Sequence, residues 1–204
     1  FIDKVVFSLE KESIPYWNKF LQGYYDVSGV ISESFDQAIQ FSAAGEAQLT
    51  SSMREKNIRL LTEVQASTIY IGFNMLDPLV GGDSQRARLL RRAISIAVDM
   101  EEYISIFQNG RGIAAQGPVP PGIFGYTEGR DGINPYVYDW EQGRPQRKSI
   151  QKARALLARA GYPNGVERKT GKPLLIHFDI TGGGPEDKAR FDWLRKQLEK
   201  IDVQ

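Results

Sequence analysis

The sequence predicts a mixed α/β fold, with α+β segregation as the alternative arrangement, and three observations carry that expectation. Short apolar–polar alternations recur along the chain, helical apolar stripes lie between them, and the two patterns interleave from one end to the other. Elements ordered in this way bury strands and helices against each other around a shared core. A length of 204 residues suffices for one such domain, or for one lobe of something larger.

Val5, Phe7 and Leu9 alternate with Val6 and Ser8, which predicts a strand. Ile14, Trp17, Phe20 and Leu21 recur at helical spacing, and Gly23 suits the end of that helix. Tyr25 to Val30 predicts a second strand. Ser34 to Ala44 predicts a short helix carrying Phe35, Ala38, Ile39 and Phe41. Ile58 to Val64 and Thr68 to Asn74 predict two further strands around a Gln65-Ala66-Ser67 turn. Residues 85–98 give the clearest helix: Leu90, Ala93, Ile94 and Ala97 share one arc, Arg88, Arg92 and Ser95 lie opposite, and Arg91 sits at the boundary. Asp83 or Ser84 is placed to cap it, and Asp99 to cap a shorter helix holding Tyr103, Ile104 and Phe107, which Gly110 stops. Residues 110–146 are dense in Gly, Pro and aromatic side chains without a sustained period, and so predict a long functional or surface-wrapping loop. Ser149 to Ala160 is helical with Gly161 at its C′ position. Leu174, Ile176, Phe178 and Ile180 alternate as a strand. A last helix opens at Pro185, has Glu186 and Asp187 near its positive end, and carries Phe191, Leu194, Leu198 and Ile201.

Composition narrows the function. Hydrophobic residues make up 41% and charged residues 25%, and the formal net charge is +1, so no bulk attraction to nucleic acid or anionic membrane is built in. No apolar run approaches the ~18 residues of a membrane span. The absence of cysteine excludes disulfides, thiolate metal sites and a cysteine nucleophile. The chain begins at Phe1 rather than Met, and the expectation is a piece of a longer precursor.

Several groups invite chemistry. His177 shares a strand face with Asp179, a general-base pairing, but no nucleophile accompanies it. Gly182-Gly183-Gly184 sits between a strand and a helix, as phosphate loops do, yet Pro185-Glu186-Asp187 follows instead of Lys-Ser/Thr, and two carboxylates repel phosphate. Arg86, Arg88, Arg91 and Arg92, with the basic residues between Arg144 and Arg159, form no nucleic-acid motif, and most of the first group falls on a solvated face. Asp77, Asp83, Asp131 and Asp139 lack metal-ligand spacing. The loop aromatics Phe124, Tyr126, Tyr136, Tyr138 and Trp140 suit either a ligand pocket or pinning of the loop to its own domain. The chain is therefore expected not to be an enzyme and to need no metal or cofactor.

Four blocks in order carry a resemblance: Phe73-Asn74 followed by Asp77-Pro78; Arg91, Ala93, Ile94, Ala97 and Asp99; Gly110, Gly112, Gly117-Pro118 and Pro120-Pro121-Gly122; and Ala153, Leu156, Leu157, Ala160, Gly161 and Tyr162. Asp3 to Phe7 and Phe20 to Val27 ahead of them, and Leu198 with Ile201 after them, extend the series. The whole resembles family 5 of the bacterial extracellular solute-binding proteins, the peptide- and nickel-type receptors of ABC importers. Residues 140–149 read as an insertion, and Asp202 stands where the family often has glycine. The resemblance implies one lobe, residues 1–204, of a type II periplasmic-binding-protein-like fold within a longer two-lobed receptor. It implies a periplasmic or otherwise extracytoplasmic protein that binds a small polar solute, above all a peptide, and delivers it to a membrane permease, without nucleic acid and without membrane insertion of this chain. The rival readings are an interaction or regulatory domain that uses the receptor fold, and a hydrolase using His177. Ligands of α/β sheets collect at strand ends and the loops that follow. Asn74 ends a strand and carries both a donor and an acceptor, and Gly110 and Gly112 allow close backbone approach. With Phe73 and Tyr126, these are the expected ligand-binding positions.

Overall fold

A computed structural model describes residues 1–42, 46–180 and 185–204. The Gly182-Gly183-Gly184 step and the Ala44 end of the expected second helix lie outside that set, as does the side chain of Glu186. The chain divides into two compact units, Phe1–Glu63 with Phe107–Asn109, and Val64–Ile106 with Gly110–Gln204. The architecture is mixed α and β, as expected. Among the described residues the strands form two separate antiparallel hairpins.

In the first unit, α1 (Ser13–Leu21) is followed by a 3-10 turn at Ser32–Ser34, α2 (Phe35–Ala38), β1 (Ile39–Phe41), β2 (Ala47–Leu49) and α3 (Ser51–Glu55). Trp17, Ile31, Phe35, Ala38, Ile39 and Met53 are buried together, with Tyr16, Phe20, Leu21, Val30, Leu49, Ile58 and Leu60 packed around them. The expected helix from Ser34 onward is corrected: it ends at Ala38, and Ile39, Gln40 and Phe41 pair with Leu49, Gln48 and Ala47. Ile39 and Phe41 are β-branched and aromatic, and a cross-strand partner is available six to ten residues on.

The second unit is built on α4 (Gln85–Ala97), α5 (Met100–Phe107), the hairpin β3 (Tyr138–Glu141) and β4 (Arg144–Arg147), α6 (Ile150–Arg159) and α7 (Pro185–Glu199). Ser84 caps α4 by accepting the Ala87 N–H at 3.2 Å, and Ser149 caps α6 by accepting the Lys152 N–H at 3.3 Å. Asp99 Oδ1 takes the Glu102 N–H at 3.0 Å at the start of α5. Helix α4 packs chiefly against α6. Leu90, Ala93, Ile96 and Ala97 on the first helix, Ala153 and Leu157 on the second, and Ile201 and Val203 beyond α7 are almost wholly excluded from solvent. Gln197 of α7 is buried but satisfied, accepting from the Asp99 N–H and Lys200 Nζ and donating to Glu102.

After α6 the backbone folds tightly. Gly165 has φ +70°, and a Cβ there would meet the Asp202 carbonyl oxygen at 1.7 Å. Asp202 itself sits at φ +59°. Asp202 thus adopts the left-handed backbone that glycine most readily supplies, and aspartate is among the few other residues that tolerate it.

Five expected strands are corrected. Residues 5–9, 25–30, 58–64, 68–74 and 174–180 carry no strand assignment. Alternation specifies which side chains share a face, but a strand exists only when a second backbone completes its hydrogen bonds. Among the described residues that second backbone is missing, and Phe7, Leu9, Leu61, Ile69 and Tyr70 are exposed as a result. The nearest approach to pairing is at Leu174 and Ile176, whose backbones exchange two hydrogen bonds with Gln204. The loop expected over 110–146 is also revised at its end, where Gln142 and Gly143, both at positive φ, turn the β3–β4 hairpin.

The packing of α4 gives a direct expectation. Replacing the fully buried Leu90 with alanine should cost about 2–5 kcal/mol, read as a lowered denaturant midpoint in chemical unfolding; an unchanged midpoint would refute the assignment of α4 as the centre of the core.

Candidate functional site

The second unit carries a shallow recess of about 350 Å³ along α4, lined by Phe73, Asp83, Arg88, Arg91, Arg92, Ser95, Asn134, Tyr136 and Val137. One wall is the polar face of the helix, and Arg88, Arg92 and Ser95 follow each other there at spacings of four and three, which places them on one stripe. Another wall is the segment from Asn134 to Val137. Asn134 organises it: its Oδ1 accepts the Tyr136 N–H at 3.1 Å, its carbonyl accepts Val137 and Tyr138 N–H groups at 3.2 and 2.9 Å, and its own N–H donates to Gln116 at 3.1 Å. Lys148 fastens the same segment, its Nζ donating to the Pro135 and Tyr138 carbonyls at 2.8 and 2.6 Å.

The arginines are not the simple solvated face expected. Arg91 donates to the Val80 and Gly82 carbonyls at 2.6 and 2.8 Å and so ties the loop ahead of α4 to the helix. Arg88 pairs with Asp83 at 3.4 Å. Arg92 lies 4.1 Å from the centroid of the Tyr136 ring, a cation–π stack across the recess. Arg86 faces elsewhere, stacking on and donating to Tyr162 and pairing with Glu167 at 3.5 Å.

The residues that hold the recess in shape were not visible in the sequence as a group. Arg147 NH1 donates to the carbonyls of Ser95, Ile96 and Val98 at 3.3, 3.3 and 3.0 Å, at the end of α4. Its Nε and NH2 grip Glu101 Oε2 at 3.0 and 2.7 Å, and Tyr138 Oη donates to Glu101 Oε1 at 2.7 Å while accepting from Arg147 at 2.8 Å. Burial pushes the Glu101 carboxyl up, but the hydrogen bonds from Tyr138 and Arg147 outweigh it and hold the group below the ordinary carboxylate range. Burial, reinforced by the hydrogen bond to Glu101, pushes the Tyr138 phenol well up. Arg147 comes from the segment that reads as an insertion, and the only sequence signal for it is the Gln142-Gly143 turn.

Of the five expected ligand-binding positions, Phe73 lines the recess. Asn74 follows it, but its side chain is committed to a turn: Oδ1 accepts the Leu76 N–H at 3.0 Å. Gly110 has φ +74°, and its N–H closes α5 on the Ile104 carbonyl at 3.1 Å, a helix-ending role. Gly112 lies where a Cβ would come within 3.4 Å of Ile104. Tyr126 is half-buried in the long loop, its N–H bonded to Ile123. None of these four is among the recess-lining residues. Of the other loop aromatics, Tyr136 joins the recess, Tyr138 is buried in the Arg147 network, and Phe124 is fully exposed. Asp77 is structural: its Oδ1 accepts Leu79 and Val80 N–H groups at 2.8 and 2.9 Å, and these bonds hold its carboxyl below the ordinary range. Among the described residues no group of His, Asp and Glu side chains is arranged to hold a metal ion, and no helix is long and apolar enough to cross a membrane.

Guanidinium, hydroxyl and amide groups thus stand beside the Phe73 and Tyr136 rings in one recess. The sequence model of the bacterial extracellular solute-binding proteins, family 5 Middle, matches residues 2–204, and the chain belongs to that family. It is 33% identical over 161 residues to the heme-binding protein A of Haemophilus influenzae, covering 77% of this chain and 25% of that one. It is 23% identical over 186 residues to the oligopeptide-binding protein AppA of Bacillus subtilis, covering 88% of this chain and 31% of that one. The chain thus spans about a quarter to a third of the length of these relatives. No solved structure gives a significant match.

Two expectations follow from these contacts. Arg147→Gln should destabilise the protein by about 2–3 kcal/mol, because it leaves helix-end carbonyls and Glu101 without their charged partner; calorimetric unfolding that matches the unsubstituted chain would refute this. For Asp77 the folded carboxyl titrates below its ordinary value of 3.8, so its contribution is present above that value and is lost as the pH falls through the lower folded value. The stability gap between the natural chain and Asp77→Asn should therefore be level from roughly pH 5 to 7 and shrink at more acid pH; a gap that widens in acid would show the opposite sign.

Proposed function

We propose that this chain is the middle section of the solute-binding component of an ABC importer, residues 1–204 supplying most of one lobe of a longer two-lobed receptor. The receptor works outside the cytoplasmic membrane, encloses a peptide or similar small polar solute between its lobes and hands it to a membrane permease. The observation that carries this reading is the family match along nearly the whole chain, joined by two relatives both named for binding a solute. Phe73 beside the α4 recess is the position at which the expected site and an actual concavity coincide. A second reading, a tetrapyrrole ligand, draws on the name of the 33% identical relative. The receptor delivers its solute and performs no catalysis.

One lobe offers only part of a ligand's contact surface and cannot exclude water by closing. Calorimetric titration of the longer receptor and of this chain, with an oligopeptide and with hemin, tests the reading. The longer receptor should bind one of them at least ~100-fold more tightly than this chain does, a difference of roughly 2.7 kcal/mol or more. Equal affinities would mean that the whole site lies within these residues, and no binding of either ligand by the longer receptor would refute the peptide and tetrapyrrole assignments together.

A further inference from the structure

We propose that the recess along α4 takes a carboxylate carried on an apolar body, with the Arg92 guanidinium as its main partner. The inference rests on the solute-binding reading and gives that site a ligand chemistry.

Charge comes first. Three arginines line the recess and Asp83 is the one acid among the lining residues. Arg88 is paired with that acid, and Arg91 is spent on the Val80 and Gly82 carbonyls. Arg92 differs from both: its contact is the face of Tyr136, which holds the guanidinium plane without using its N–H groups. A stacked guanidinium keeps a planar fork of donors free along its edge, the geometry that a carboxylate matches with two parallel hydrogen bonds. The stack also removes rotamer freedom before any ligand arrives, so less is lost on binding.

Neutral donors stand beside it. Ser95 lies one turn along the same stripe, and Asn134 lines the opposite wall with its Oδ1 already committed to Tyr136 N–H, leaving the amide nitrogen for a ligand. Phe73, Val137 and the Tyr136 ring provide apolar surface in the same recess. A bare inorganic anion would leave that surface wet, whereas a carboxylate on an apolar or aromatic residue covers it. A peptide offers this chemistry from two sources, its C-terminus or an acidic side chain.

The test is an NMR titration of the 204-residue chain, following the arginine Nε–H and Asn134 side-chain signals. The probes are N-acetyl-Phe-Phe as the free acid, the same dipeptide as its amide, and N-acetyl-Phe-Glu amide. At least one acid-bearing probe should bind saturably and about tenfold more tightly than the neutral amide, the scale of one charge-assisted contact. Preference for the free acid identifies a C-terminal carboxylate, and preference for the Glu probe a side-chain carboxylate. Arg92→Gln should erase the preference and Arg195→Gln, at an exposed α7 residue that does not line the recess, should leave it; the backbone spectrum of each variant shows whether it is folded, and Arg92→Lys, which keeps the charge but not the fork, should retain only part. Equal response to all three probes, or a preference that survives Arg92→Gln, overturns the proposal. If the longer receptor binds its solute equally well with and without Arg92→Gln, the subsite is wrong while the solute-binding reading stands.

Discussion

The end of helix α4 is the point on which the second unit depends. A helix leaves its last carbonyls without internal partners and concentrates negative charge there. In this chain one guanidinium, that of Arg147, meets three of those carbonyls and is itself clamped by Glu101 and Tyr138. The same side chain therefore fixes where α4 stops, where α5 begins and how the β3–β4 hairpin lies against both. One wall of the recess is the helix and another is the segment leading into β3, so that contact network, with Asn134 and Lys148 fastening the segment, holds the two walls in place.

Helices were legible in the sequence because their determinants are local. Asp83 or Ser84, and Asp99, could be named as caps from neighbours three positions away; Ser84 and Asp99 act as caps, and Ser149, read as the first helical residue, turns out to be one too. The arc of Leu90, Ala93, Ile94 and Ala97 is buried for the same reason. The strands were not legible, because pairing is non-local. Ile69 and Ile71 alternate correctly and still lack a ladder, while Tyr138 to Arg147 form one from residues that read as loop.

The candidate site shows the same divide at the level of single side chains. Phe73 was visible as a strand-end aromatic and does line the recess. Asn74 was chosen for having a donor and an acceptor, yet its acceptor closes a turn two residues on, a use common for asparagine that a residue type alone does not reveal. Arg92 was read as solvated because its helical position points away from the core. The position was right, but residues 134–137 come from far along the chain to cover that face, and no periodicity within α4 reports on them.

The apolar segments without partners have a practical meaning of their own. Leu61, Ile69 and Tyr70 stand largely open to solvent, on extended backbone that no strand among the described residues pairs with. Such segments are templates for any extended chain, including another copy of the same one. For this polypeptide handled by itself, those segments are where self-association would begin, so its tendency to associate should rise with concentration.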